Sequence, residues 1–169
     1  MNRLRQYIRK TLKESYSPRY RYVYHGTTEL AGEQIEDHGF DTSLVGKKSG
    51  DKENKGISFT VDKDIATEHA IWAWSQDQKD GAAIVSARIS GLNIMKGSEF
   101  NFLWDELTSA HFALDAAKDM GYDGVEYFDL ESGDGIEEME VLLFPHAVEV
   151  YNISYIDPED FPDIVENYV

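Results

Sequence analysis

Two carboxylates stand at the head of an apolar run late in the chain, Glu138-Met139-Glu140-Val141-Leu142-Leu143-Phe144. Side chains alternate along a strand, so Glu138, Glu140, Leu142 and Phe144 share one face and Met139, Val141 and Leu143 the other. Both faces are apolar past Glu140, which predicts an inner strand with its carboxylates at one end. A carboxylate bordering a buried strand costs desolvation energy unless it has a partner, and this makes Glu140 the leading working residue. Two earlier stretches offer complementary groups. In Tyr24-His25-Gly26-Thr27-Thr28 an imidazole follows the strand-forming Arg21-Tyr22-Val23. Gly26 is expected to end that strand and let a ligand approach the backbone, with N–H groups beyond it as donors. In Gly56-Ile57-Ser58-Phe59-Thr60 the hydroxyls of Ser58 and Thr60 share a face, with Phe59 opposite.

Other chemistries find less support. His38, His69, His111 and His146 are scattered, without metal-ligand spacing, and read as helix-face or surface residues. Asp129-x-Glu131-x-Gly133-Asp134-Gly135 hints at a calcium loop with Glu140 at its twelfth place, but the sixth position is Asp134 instead of glycine. No phosphate-binding P-loop, G-x-G-x-x-G fingerprint or serine–histidine nucleophile pattern is present. There is no cysteine, so disulfides and thiolate metal sites are excluded.

The elements that must position these groups alternate irregularly, which predicts an α+β fold. A basic helix is expected over 2–15, with Leu4, Tyr7, Ile8, Thr11 and Leu12 on one side, docked on the domain. Thr27 or Thr28 caps a helix carrying Leu30, Ala31, Ile35 and His38. A polar loop from 42 to 55 holds Lys47, Lys48, Lys52 and Lys55, a cluster suited to an anionic ligand or to a solvated loop. After the Ile57–Val61 strand, Asp62 caps a helix through Ile65, Ala66, His69, Ala70, Ala73 and Trp74, with Trp72 and Trp74 as core or groove-lining residues. A strand over 82–89, a shorter piece at 92–95 and one long helix over 103–119, stopped by Gly121, come next. A strand at 123–128, the acidic loop 129–137, the strand 138–144 and a strand pair over 147–156 complete the domain. The expected organisation is a helix at 1–18, one domain at 19–157 and a loosely packed tail at 158–169.

With 169 residues, 41% of them hydrophobic and 12% aromatic, the chain suits one domain with a full core. The net charge of −16 is uneven, since residues 1–21 carry +6 and the remainder −22. So negative a body repels phosphates, arguing against general nucleic-acid binding and for a basic protein partner. No apolar run approaches a membrane span, and the basic start lacks a signal peptide's apolar stretch, so membrane insertion is not expected and the expected compartment is cytoplasmic, of the producing or the target cell.

The three motif stretches, in their order over residues 22–150, resemble the NAD-dependent ADP-ribosyltransferase superfamily. The resemblance implies a split β-sandwich of two small antiparallel sheets whose cleft binds NAD as a substrate, without a metal. It implies that His25 hydrogen-bonds a ribose, that the backbone of Gly26, next to Thr27, holds the nicotinamide amide, and that Ser58 and Thr60, flanking Phe59, steady the glutamate. Glu140 would bind the nicotinamide-ribose 2′-hydroxyl and stabilise an oxocarbenium-like transition state. Glu138 would orient an arginine acceptor on a target protein, recognised through the loop 129–137. The set His25, Ser58, Glu140 is a hybrid, because one branch carries arginine at the first position and the other carries tyrosine where Ser58 stands. A toxin or phage effector fits this resemblance. So do an NAD glycohydrolase, an RNA 2′-phosphotransferase and an inactive binding module for a basic partner.

Overall fold

β-Branched and aromatic residues build the centre of the molecule as seven strands. In the computed structural model, which describes residues 21–44, 55–76, 81–129 and 138–168, these are β1 (Tyr22–Thr28), β2 (Ile57–Thr60), β3 (Ala82–Arg88), β4 (Ile94–Met95), β5 (Gly124–Asp129), β6 (Glu138–Leu143) and β7 (Glu149–Ile156). They join in the order β4-β5-β6-β2-β1-β3-β7. Every pairing is antiparallel except β4 with β5. The helices are α1 (Glu29–His38), α2 (Lys63–Ser75), α3 (Gly97–Leu107), α4 (Ala110–Asp119) and α5 (Pro162–Val165). The fold is α+β.

The ladder has a seam. β1 pairs with β3 at seven positions but with β2 only at Tyr24/Thr60. On one face, Val23, Ala87 and Ile89 from one side of the seam share a core cluster with Ile57, Phe59, Ile94, Val141 and Leu143 from the other. The apolar cluster thus runs unbroken across the seam and ties the two parts of the ladder together. Where the resemblance implied two small antiparallel sheets, the described strands form one continuous mixed ladder, narrowest at the β1–β2 joint.

Helices cover the opposite face in two blocks. Ala66 and Ala70 of α2 pack on Ala82 and Ile84, with Tyr24 against them. Phe100 and Leu103 of α3 and Ala113, Leu114 and Ala117 of α4 pack on Met95, Val125, Leu142 and Phe144. Asp62 caps α2 by accepting from the N–H of Asp64 at 2.8 Å, as its position before the helix predicts.

Several boundaries differ from the sequence expectation. β1 runs through Gly26 to Thr28, because β3 offers partners along its whole length. Thr28 then caps α1, its Oγ1 accepting from the N–H of Ala31. The single long helix over 103–119 is two helices, since Thr108 adopts the left-handed conformation (φ 54°) and Ser109 is extended. Gly121 does stop α4, with φ 86° and its N–H donating to the Lys118 carbonyl. The strand pair over 147–156 is the single strand β7, and the tail carries α5, which contacts α2. The basic N-terminal helix, most of the lysine loop and the acidic loop 130–137 lie outside the described residues. Among those described, no helix is long and apolar enough to cross a membrane.

Candidate functional site

Register aligns a row of polar side chains across one face of the sheet. Directly opposed residues on antiparallel strands share a face, and the pairings run Tyr127–Glu140–Thr60–Tyr24–Ser86–Asn152 through β5, β6, β2, β1, β3 and β7. Ser58, two residues before Thr60, shares this face. His25, next to Tyr24, therefore belongs to the opposite face with Phe59.

His25 nevertheless meets Ser58. Its Nδ1 lies 2.9 Å from the Ser58 carbonyl oxygen. A carbonyl only accepts, so Nδ1 carries the proton, and Nε2 of the neutral ring presents an acceptor lone pair. Burial pushes the His25 imidazole below the ordinary histidine range, against the raising effect of the Ser58 carbonyl, while His69 adds a small lowering contribution. The ring is walled by Phe40 and Phe59, with centroids 5.5 and 5.8 Å away at steep angles, and the two phenyl rings meet edge-on at 5.7 Å. A neutral imidazole in an aromatic niche suits an approaching hydroxyl donor better than an anion.

On the other face, the Tyr127 hydroxyl donates to Glu140 Oε2. The Ser58 Oγ lies 3.3 Å from the Tyr127 oxygen. Ser58 is thus the node of the site: its carbonyl engages His25 and its hydroxyl reaches Glu140 by way of Tyr127. The hydroxyl and the carboxylate singled out from sequence share one face and are linked through Tyr127, while the imidazole belongs to the opposite face and meets the Ser58 backbone.

The remaining expected residues have more structural placements. A Cβ on Gly26 would lie 2.1 Å from the Ala66 carbonyl and 2.5 Å from the Ala70 nitrogen, so its missing side chain makes room for α2. Thr27 is half-buried within β1, in register with Ala83. Phe59 is buried in the core. Thr60 is buried, and its Oγ1 accepts from the N–H of Asp62 at 3.1 Å, serving the chain's entry into α2. Glu138 opens β6 in register with Asp129, and its side chain lies outside the described part of the structure. Lys55 contacts Asp115 of α4 and holds that carboxyl below its usual range, helped by His111 and Lys118.

Sequence reasoning missed Tyr127 and Phe40. Tyr127 sits in a stretch read only as a strand and Phe40 just ahead of the polar loop, and only cross-strand register or the return of the chain makes them neighbours of the site. Among the described residues no group of three His, Cys, Asp or Glu side chains could hold a metal ion. A cavity of about 450 Å³ lies elsewhere, lined by Glu29, Trp74, Tyr155, Asp157 and Glu159 among others.

No protein-family model matches the chain. Nor does any curated protein match it in sequence. Among solved structures, the fold is similar to a chain of the M. tuberculosis MbcT-MbcA toxin-antitoxin complex, with a TM-score of 0.50 and 12% identity over 96% of this chain and 97% of that one. At that identity the likeness is one of fold, and it spans nearly the whole of both chains.

Proposed function

We propose that the protein is an NAD-dependent ADP-ribosyltransferase that moves ADP-ribose onto a protein side chain, with arginine as the acceptor, and releases nicotinamide. The observation that carries this reading is the connection of His25 and Glu140 through Ser58. Each of the three motif stretches contributes one group to it. In the proposed reaction the bond between the ribose C1′ and the nicotinamide nitrogen breaks, and nicotinamide leaves with the bonding pair. The Glu140 carboxylate, bound to the ribose 2′-hydroxyl, offsets the positive charge that develops on the sugar. His25 accepts a ribose hydroxyl proton in a hydrogen bond through Nε2, without itself changing charge. An acceptor nitrogen then attacks C1′ and loses its proton to solvent, with Glu138 orienting the incoming guanidinium.

A protein partner belongs to this reading. The similar fold occurs in a toxin-antitoxin complex, and a charge of −22 outside the first 21 residues suits a basic companion. The role is that of an NAD-acting toxin restrained by such a companion.

The test is incubation with NAD labelled in the adenylate half and a cell lysate. Wild type is expected to transfer label to protein and Glu140→Gln to lose this, since the isosteric amide carries no charge. Glu138→Ala is expected to lose transfer while still releasing nicotinamide. Equal labelling by wild type and Glu140→Gln rejects the assignment, and nicotinamide release without labelled protein by the wild type makes the enzyme an NAD glycohydrolase.

A further inference from the structure

We infer that Tyr127 is the positioning residue for Glu140, holding its carboxylate through a directional chain of two hydroxyls that begins at Ser58. The inference rests on the reading that Glu140 acts on NAD. The resemblance assigns the steadying of this glutamate to Ser58 and Thr60, yet neither makes the contact seen from β5. Thr60 is in register with Glu140, and its Oγ1 accepts from the N–H of Asp62. Ser58 stands one step further along the face, opposite Leu142. Tyr127 lies directly across from Glu140 in the β5–β6 ladder, and its phenol reaches the carboxylate.

The order of the chain follows from counting hydrogens. A phenol has one proton, and a carboxylate that is ionised can only accept. Tyr127 gives its proton to Glu140 Oε2, so at the 3.3 Å contact between Ser58 Oγ and the Tyr127 oxygen the serine is the donor. Both O–H dipoles then point toward the carboxylate, and each strengthens the next. Packing holds the ring in place, because Tyr127 rests against the cluster formed by Val125, Leu142 and the α3–α4 pair. One Glu140 oxygen is held this way from β5, opposite the edge of β6 that faces β2.

Tyr127→Phe keeps the ring and removes only the donor. Losing a hydrogen bond to the charged form favours protonation, so carbon-13 NMR should show Glu140 titrating at a higher pH than in wild type. NAD turnover should fall about ten- to a hundredfold in kcat with little change in KM, and the acid limb of its pH profile should move to higher pH. Ser58→Ala, which leaves the phenol and its packing in place, should shift the Glu140 titration in the same direction by less. An unchanged Glu140 titration in folded Tyr127→Phe overturns the inference. If that variant does not fold, an unchanged titration in Ser58→Ala overturns the relay. A wild type that never turns over NAD defeats the proposed function, while the NMR titration still decides whether Tyr127 holds Glu140.

Discussion

Burial lowers the proton affinity of His25 from the ordinary histidine value of 6.5, which bears on stability as well as on binding. The unfolded chain takes up a proton near that value, whereas the folded one resists it until lower pH. The neutral ring's contribution is therefore complete above about 6.5 and is lost as the pH falls toward the folded value. Denaturant midpoints should drop between about pH 7.5 and 5.5, and His25→Asn should flatten that slope, because an amide can still donate to the Ser58 carbonyl but does not titrate. An unchanged slope would mean the imidazole is not protected from protonation. At this scale His25, Ser58 and Glu140 were legible as chemistry-bearing types at strand positions. Their contacts were not: the Ser58 partner of His25 is a backbone oxygen, and no residue pattern marks which carbonyl a ring will reach. Tyr127 was hidden for the same reason, since its role depends on lying opposite Glu140 and not on its neighbours in sequence.

Among the elements, α2 closes over β1 at Gly26. Sequence reading gave that glycine to a ligand, and the clash with Ala66 and Ala70 gives its side-chain space to helix backbone. Gly26→Ala should destabilise by about 3 kcal/mol, since backbone on both sides cannot step aside as a flexible side chain does. Gly121→Ala should cost about 1 kcal/mol, because only its left-handed φ of 86° is strained and its Cβ would meet open space. Thermal melts of the two variants check the ranking, and equal losses would refute the packing role of Gly26. Helix starts were legible at Asp62 and Thr28, whose side chains accept from the first turn, but not at Ser109, whose side chain makes no cap bond. The break at Thr108 was not, because the apolar period runs on through it from Leu103 to Ala117. What divides the helix is the turn that lets both α3 and α4 lie on the β5 side of the sheet.

For the molecule as a whole, the net charge of −16 predicts that repulsion between like charges works against the folded state. The melting temperature should rise as sodium chloride goes from about 0.02 to 0.3 M, over which the screening length shortens from about 20 Å to about 6 Å. A salt-independent melt would show that this repulsion is too weak to act on the fold. Composition, alternation and capping residues were enough to determine an α+β chain with an apolar inner strand carrying Glu140 and a histidine-bearing first strand, because these are local properties of two- and four-residue periods. Strand order, the single-pair seam between β1 and β2, and the polar row from Tyr127 to Asn152 were decided only in three dimensions. Register between distant strands depends on how the two parts of the ladder meet on one shared core, and no local period of the sequence carries that information.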